Sequence, residues 1–512
     1  MGKGGDRNDV ATKQGKKAPL EITPSQLKEH RTPDNAWMSI GKKVRRRFCR
    51  ALVFWSSLAA ARTLTLADVA QVYDVSNWHD HPGGSVLFTH AGDDMTDVFT
   101  MFHPPDASDW LEQFYVGELV EGKEEVAALT EEEEKAKAEQ RDFEKAYRNL
   151  RGKMKAAGLF KLSPGFYVYK FVSQFVLVAA AAFFASQPNT LSFWAGAVCL
   201  AIFWEQAGWL AHDVCHNQLA QKNGQPFSYW NKALGLMAGN LFQGFSCKWW
   251  KDKHNRHHAV PNVHGVESGE LNADPDIDTM PLLAWSNKMA ALAKESKSGR
   301  FMVSIQKFTY LPLLAVARLS WLHQSVIFAW RLDDGMFANA TANDNLKKSQ
   351  EAALKGTEQR LEQGLLVLHH VWVALLCSQR PTLASALAFW FTAQAICGLV
   401  LFGITSLGHN GLPVYEANER PDYWKLQVTT TRNISGNAFV HWLCGGLEYQ
   451  VDHHLFPTMP RHHLPAAHEL IVSFCKEHGI KYNEASLLKG TMDVIEHLDV
   501  VATEFMTEFP AM

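Results

Sequence analysis

The chain has 512 residues, 47% of them hydrophobic, and 50 Lys and Arg against 53 Asp and Glu leave a net charge of −3, with a mean hydropathy of −0.17. That length accommodates two or three domains, the composition excludes a collagen, a coiled coil and a disordered chain, and the balanced charge argues against a dedicated nucleic-acid binder. Seventeen Trp, 30 Phe and 23 His point instead to a membrane metalloprotein, because aromatics concentrate at bilayer interfaces and imidazole is the commonest metal ligand.

Residues 1–33 read as a polar, basic, disordered tail, and the opening MGKGGDRNDVATKQGKK lacks the apolar core of a cleavable secretory signal. Asp6 stands where an N-myristoylation signal after Gly2 needs Ser or Thr. Residues 34–121 read as a small soluble domain rich in Asp, Gly and Pro, and 122–160, dense in Glu, Lys and Ala, as a charged helical linker. The remainder, 161–512, opens with two stretches, 166–186 and 191–211, each long enough to span a bilayer and joined by a short polar QPNT loop. Three more apolar stretches follow at 308–330, 364–379 and 383–408, and the chain after 412 regains soluble character. The eight cysteines (Cys49, Cys199, Cys215, Cys247, Cys377, Cys397, Cys444 and Cys475) show no CxxC spacing, so they read as reduced thiols. No repeat of 20–50 residues is evident.

Two sets of histidines carry chemistry. In the first domain, His81-Pro82-Gly83-Gly84 follows the strand-like VYDVSNW, and His103 comes 22 residues after His81. Two imidazoles so separated can face each other across a flat cofactor and take both axial positions of its iron, while paired glycines let backbone approach a wide ring edge. Asp93, Asp94, Asp97, Asp106, Asp109 and Glu112 lie around the second histidine. They fit an acidic rim that docks a basic partner, and equally a solvated surface.

In the larger part, the second apolar stretch runs into His212-Asp213-Val214-Cys215-His216, an HxxxH that stacks two imidazoles on one helix face. His254, His257 and His258 follow at i, i+3 and i+4; His409 ends the last long apolar stretch, and Gln450-Val451-Asp452-His453-His454 stands near the C-terminus. Imidazole suits iron, copper and zinc alike, but eight imidazoles are too many for one ion and enough for two. Asp213 and Asp452, beside candidate ligands, fit either partners that orient imidazoles or plain surface carboxylates. Gln450 can coordinate only through its amide oxygen or a water.

Convergence of these clusters requires an even number of spans between consecutive ones. The 37 residues between His216 and His254 hold one apolar stretch, ALGLMAGNLFQGF, too short to cross. The KWWKDK run reads as an interfacial helix start with Trp249 and Trp250 at the headgroups and lysines toward the cytosol. Of the three later stretches one must not span; Arg318 and His323 mid-run mark 308–330 as an amphipathic surface helix. The other two would form a hairpin around Arg380-Pro381, with His369 and His370 inside it or near the site.

Residues 34–121 resemble the cytochrome b5 family, which implies His81 and His103 as axial ligands of haem b. WLAHDVCHNQ, KWWKDKHNRHHAVPNVH, DPDIDTMPLL and CGGLEYQVDHHLFPTMPRH resemble the membrane fatty acyl desaturases, di-iron enzymes with three histidine boxes. Gln450 in place of the first histidine of the third box is similar to the front-end subgroup with a fused cytochrome b5 domain, and VYDVSNWHDHPGG with WKLQVTTTRNISG looks most like the microalgal Δ6 enzymes. The resemblance implies a small α+β haem domain followed by an all-α membrane desaturase domain with about four transmembrane helices, interfacial helices and a cytosolic histidine-box cap. It implies two non-haem irons held by His212, His216, His254, His257, His258, His409, His453 and His454, with O2 as co-substrate and electrons from NADH through cytochrome b5 reductase. The substrate would be a polyunsaturated acyl chain, as a coenzyme A or phospholipid ester, desaturated between an existing double bond and its carboxyl end at the endoplasmic reticulum membrane. Open alternatives are Δ5 or Δ4 acyl desaturation, Δ8 desaturation of sphingoid bases, a hydroxylase of the same superfamily, and a membrane-tethered b5-type electron carrier.

One feature departs from the cytochrome b5 pattern. That pattern would run SIGKK directly into VYDVSNW, but Val44–Gln71, 28 residues, intervene. An insert there would split a strand of a small domain with little core to spare. It reads either as a membrane anchor, short for a span, or as an unspliced in-frame intron, since Lys43-Val44-Arg45 and Gln71-Val72 can be encoded by splice donor and acceptor sequences.

Overall fold

A computed structural model describes residues 19–43, 69–104, 107–120, 130–222, 225–226, 228–265, 272–332, 348–349, 351–352 and 354–510. Residues 1–18, Asp106, Cys49 and positions 44–68 of the insert lie outside them. The chain divides into two compact units, Met1–Asn77 with His90–Phe99 and Pro105–Lys137, and Trp78–Thr89 with Thr100–Pro104 and Ala138–Met512.

The first unit is built on a five-stranded sheet of order β1-β5-β4-β3-β2: β1 (Leu20–Ile22), β2 (Arg31–Thr32), β3 (Asn35–Lys43), β4 (Val69–Asp74) and β5 (Tyr115–Leu119). Along β3, Ala36, Met38 and Ile40 are buried at the two-residue period of a strand. Residues 19–33, expected as part of the disordered tail, are ordered instead. β1 pairs in parallel with β5, and a capping box of Thr23 and Gln26 starts helix α1 (Pro24–Lys28). Ile22 and Leu27 then join Val72 in a buried cluster, which repays the ordering. The last turns of α2 (Thr96–Phe102) lead to His103.

Helix α3 (Glu131–Ala156) fulfils the helical part of the linker expectation, with four glutamates in its first turn where the helix dipole favours them. Its later half is a packed element and not a bare spacer. Tyr147, Leu150 and Met154 are buried on one face, and Tyr147 Oη donates to the Leu455 carbonyl at 2.9 Å.

Helices α4 (Pro164–Ala185) and α5 (Thr190–Cys215) form the expected first hairpin. The stretch before the second histidine cluster folds as α6 (Ser228–Gly235) running into a π-helical segment, Leu236–Gln243, and helix α7 (Cys247–Ala259) follows. Later come α8 (Gln306–Trp330), α9 (Gly356–Cys377) and α10 (Leu383–His409). Among the described residues, α4, α8 and α10 are long and apolar enough to cross a membrane. Arg380, in the α9–α10 turn, donates to the carbonyls of Ala185 and Gln187 at 3.3 and 2.5 Å. The turns of both hairpins therefore lie together, and the histidine-bearing ends of α5 and α10 lie at the opposite end.

Helix α8 corrects one expectation. It has the length and hydropathy of a span, and its polarity is the reverse of a surface helix: Phe308, Leu311 and Val316 are exposed, while Gln306, Arg318 and Ser325 are buried. The Arg318 guanidinium is tucked inward, bonded to Gln394 of α10 and the Gln243 carbonyl and 4.0 Å from the centre of the Trp204 ring. At the two ends of α8, Gln306 Nε2 donates to the Leu498 carbonyl and the Ala329 carbonyl accepts from Gln359 and Gln363. His369 faces the interior, its Nδ1 3.0 Å from the Leu241 carbonyl, and His370 is exposed. Trp249 and Trp250 are buried, not at an interface; Trp250 stacks on His254 with ring centres 4.0 Å apart.

A close helix approach occurs at Gly398 of α10, where an added Cβ would stand 2.5 Å from the Leu314 carbonyl oxygen and 2.7 Å from that of Ala315. Gly398→Val is expected to destabilise the fold by about 1–3 kcal/mol, read as a lower thermal unfolding midpoint in detergent. Gly403→Ala, with nothing within 4 Å, should stay within about 0.5 kcal/mol; equal behaviour of the two would refute the close α8–α10 contact.

Candidate metal centre

Four helices deliver the histidines. His212 lies in the last turn of α5 and His216 caps it, α7 presents His254, His257 and His258 on one face, His409 ends α10, and the short α12 (Gln450–Leu455) carries Gln450, His453 and His454. Ring nitrogens of His212, His216, His254, His258 and His453 all lie within 4.8 Å of one another, and those of His257, His409 and His454 form a second such group. The Gln450 amide joins the second group, 2.8 Å from His409 Nε2.

The donor set fits metal ions. Nε2 of His258 lies 3.0 Å from that of His254 and 3.1 Å from that of His453, and Nε2 of His257 lies 3.2 Å from that of His409. A neutral imidazole offers one N–H and one lone pair, and several lone pairs meeting in a buried space repel unless a cation lies among them. Two nitrogens bound at right angles to one ion, with bonds of about 2.1 Å, stand about 3.0 Å apart. Nε2 of His212, His216 and His454 is buried without a protein partner. Burial, with the mutual repulsion of neighbouring imidazoles, holds His216, His254, His258, His453 and His454 well below the usual imidazole range. Those rings keep their lone pairs free for coordination. His257 moves up instead: burial opposes its charge, but the Asp274 carboxylate more than offsets this.

Several ring orientations are set by outer partners that the sequence reading assigned no role. Asp274 Oδ2 lies 2.9 Å from His257 Nδ1 and accepts from the main-chain N–H of Asn262 at 2.8 Å. In α11 (Tyr423–Thr430), Gln427 Oε1 lies 2.9 Å from His454 Nδ1 while its Nε2 donates to the His258 carbonyl at 3.1 Å. The Thr430 carbonyl lies 3.1 Å from His409 Nδ1. Asp274 and Gln427 both sit in motifs already quoted, DPDIDTMPLL and WKLQVTTTRNISG, but no spacing rule links them to a particular ring. Of the two carboxylates singled out in the sequence, neither is on the surface. Asp213 lies 3.5 Å from His212 Nδ1 and pairs with Arg461 at 2.9 Å. Asp452 accepts instead from Asn433, His468 and Tyr482 at 2.8–3.0 Å, which tethers α12 and orients no box imidazole directly.

The ring centres of His81 and His103 lie 6.0 Å apart. Two imidazoles on opposite faces of one iron, at about 2 Å per bond, hold their centres about 6 Å apart, so the pair fits a bis-histidine haem. His81 Nδ1 lies 3.3 Å from the Gly84 carbonyl, leaving Nε2 for the iron. A Cβ on Gly83 would stand 2.7 Å from His81 Cε1.

Asp274→Asn is therefore expected to weaken metal retention by about 10–100-fold, measured as iron per chain after dialysis against a chelator; unchanged retention would remove Asp274 from the site. Gly83→Ala should lower haem absorbance per chain and leave non-haem iron unchanged, and full haem loading would show that the glycine is not needed there.

Residues 188–486 match the fatty acid desaturase family, and residues 66–120 match the cytochrome b5-like haem/steroid binding domain. The chain is 36% identical to the acyl-lipid (9-3)-desaturase of Physcomitrium patens, over 84% of this chain and 74% of that protein. It is 31% identical to the Delta(6)-fatty-acid desaturase fat-3 of Caenorhabditis elegans, over 78% and 87%, and 30% identical to the Delta(8)-fatty-acid desaturase of Euglena gracilis, over 84% and 94%. The donor clusters and the His81–His103 pair thus have their counterpart in a di-iron family fed by a fused haem domain: the chain belongs to the fatty acid desaturases, as a front-end enzyme with an N-terminal cytochrome b5 domain.

Proposed function

We propose that this chain is a Δ6 front-end desaturase, inserting a cis double bond between the carboxyl end and an existing double bond of a polyunsaturated acyl chain, with O2 as co-substrate. The observation that carries this reading of the site is the convergence of eight imidazoles, seven of them buried, at one end of apolar helices. An acyl chain dissolved in a bilayer can reach that end. In this assignment His212, His216, His254, His258 and His453 hold one iron, and His257, His409 and His454 hold the other, with Gln450 as a weaker amide or water-mediated donor. His81 and His103 are the haem ligands. Bound iron supplies the oxidising chemistry that breaks an unactivated methylene C–H bond, beyond the reach of any side-chain acid or base.

The protein's own residues do the rest. Asp274, Gln427 and the Thr430 carbonyl hold ring nitrogens in place, neutral imidazoles add no ligand charge, and burial excludes water. The regiochemistry then depends on how deep the acyl chain enters, measured from its carboxyl end. Electrons would come from NADH through cytochrome b5 reductase. The enzyme would sit in the endoplasmic reticulum membrane with haem domain and histidine boxes on the cytosolic side, its substrate carried as a coenzyme A or phospholipid ester. Support for Δ6 comes from the likeness of VYDVSNWHDHPGG and WKLQVTTTRNISG to microalgal Δ6 enzymes and from the nematode relative named as a Delta(6) desaturase; relatives named for Δ8 and Δ5 mark the competing positions. An electron carrier would have no use for eight converging imidazoles.

In the same reading the haem domain spans 34–121 together with the ordered residues 19–33, the linker 122–160 and the desaturase domain 161–512, and residues 44–71 are an in-frame intron. One observation bears against these intron bounds and one supports them. The haem-domain match begins at residue 66, which leaves 44–65 outside it, whereas Val69, Ala70 and Gln71 of the proposed intron pair with Lys43, Lys42 and Ile40 in the sheet. With 44–71 removed, the Ser39–Val72 pair would be closed by Ile40–Lys43, a four-residue hairpin loop carrying Gly41 at φ 76°.

Expression with and without residues 44–71 in yeast fed linoleic and α-linolenic acids tests both. A new double bond at C6, located by gas chromatography–mass spectrometry of derivatised products, is expected, and activity only in the shorter chain would support the intron. A bond at C5 or C8 of a longer fed acid would replace Δ6, and a full-length transcript at full abundance would refute the intron.

A further inference from the structure

The second glycine of His81-Pro82-Gly83-Gly84 has a use apart from haem. Gly84 has φ +83°, and a Cβ there would stand 3.0 Å from the Asp252 carboxyl carbon. Asp252 lies on α7, between the lysines that open the helix and the histidines that end it. Its Oδ1 accepts from the Ser85 amide at 2.5 Å and the Ser85 hydroxyl at 2.9 Å. One turn on, Asn255 Nδ2 donates to the Gly83 carbonyl at 2.8 Å. Within the second compact unit the segment Trp78–Thr89 is thus clamped onto the helix that carries His254, His257 and His258. Two further bonds hold the neighbourhood: Arg420 Nη1 to the Thr89 carbonyl at 2.8 Å, and Thr458 Oγ1, four residues after His454, to the Met101 carbonyl at 3.2 Å.

These bonds bring Phe102 edge-on to His258, with ring centres 6.1 Å apart and planes at 81°. Phe102 is covalently adjacent to His103. We propose that the Asp252–Asn255 clamp and Phe102 form the electron bridge of this protein, linking haem ligand His103 to iron ligand His258 within one chain. The inference rests on the assignment of those two histidines as ligands. With haem and iron bound, each passage would take one electron from ferrous haem to one ferric non-haem ion, leaving ferric haem and a ferrous ion; two passages would reload the pair, and no proton would move in the transfer itself. The bridge needs no encounter between molecules, so its rate is independent of protein concentration.

The test uses the full-length protein in detergent, with haem and iron bound. The haem is reduced anaerobically by one electron equivalent, and its reoxidation by the ferric pair is followed in the haem visible band by stopped flow. Phe102→Leu and Asp252→Ala are each expected to slow this phase by about tenfold or more, because reacting centres lose rate steeply when misplaced by an ångström, with haem midpoint potential, haem content and iron content unchanged. Asp252→Ala also has a readout that needs no electron transfer: exchange of the Ser85 amide hydrogen should speed by about tenfold, the loss of a bond to a charged acceptor. An unchanged reoxidation rate in both variants, or a rate that rises with protein concentration, would overturn the bridge. A preparation with full haem and iron separates that failure from failure of the functional reading, which would show as absence of a haem band or of non-haem iron.

Discussion

Everything in the larger unit depends on one electrostatic constraint: eight imidazoles with inward lone pairs, nearly all buried, within about the reach of two ions. Such a set cannot be held by mutual hydrogen bonding, because rings that donate Nδ1 hydrogen outward leave only acceptors inside. The Nε2 separations of 3.0–3.2 Å are what bonds of about 2.1 Å to common ions produce. Cations are therefore part of the fold's energetics as well as of its chemistry, and the helices that carry the histidines are placed to meet that demand.

The constraint spreads outward through the other ring nitrogens. A ring is aimed only if its Nδ1 is also held, and the structure provides a carboxylate for His257, an amide for His454 and a main-chain carbonyl for His409. The amide of Gln427 does two things at once, since its nitrogen also bonds the His258 carbonyl and so ties α11 to α7. Asp452, adjacent in sequence to His453, is spent on Asn433, His468 and Tyr482. Its burial and its neighbours give it a tethering part, one step removed from the rings.

The membrane-facing part obeys a second constraint, that charge within an apolar layer must turn inward. Arg318 shows it: a charge in mid-helix normally marks an aqueous face, but here the guanidinium is satisfied by Gln394, the Gln243 carbonyl and the Trp204 ring. Helix α8 consequently presents Phe308, Leu311 and Val316 outward, and hydropathy alone misjudges which of its faces is wet.

The sequence by itself determined the histidine clusters, the spacing of His81 and His103, the long apolar stretches and the family these imply, because spacing along a helix and apolar length are local properties of the chain. It also showed where the haem-domain pattern is interrupted. Only the tertiary structure decided which ring faces which, how the eight donors divide five and three, that Asp274 and Gln427 and not Asp452 orient rings, and that residues 19–33 complete a sheet. Each of these depends on contacts between residues far apart in the chain, such as the 17 positions from His257 to Asp274 or the 27 from Gln427 to His454. No periodicity encodes such distances; they follow from how helices pack once the apolar faces and the metal-seeking faces are buried together.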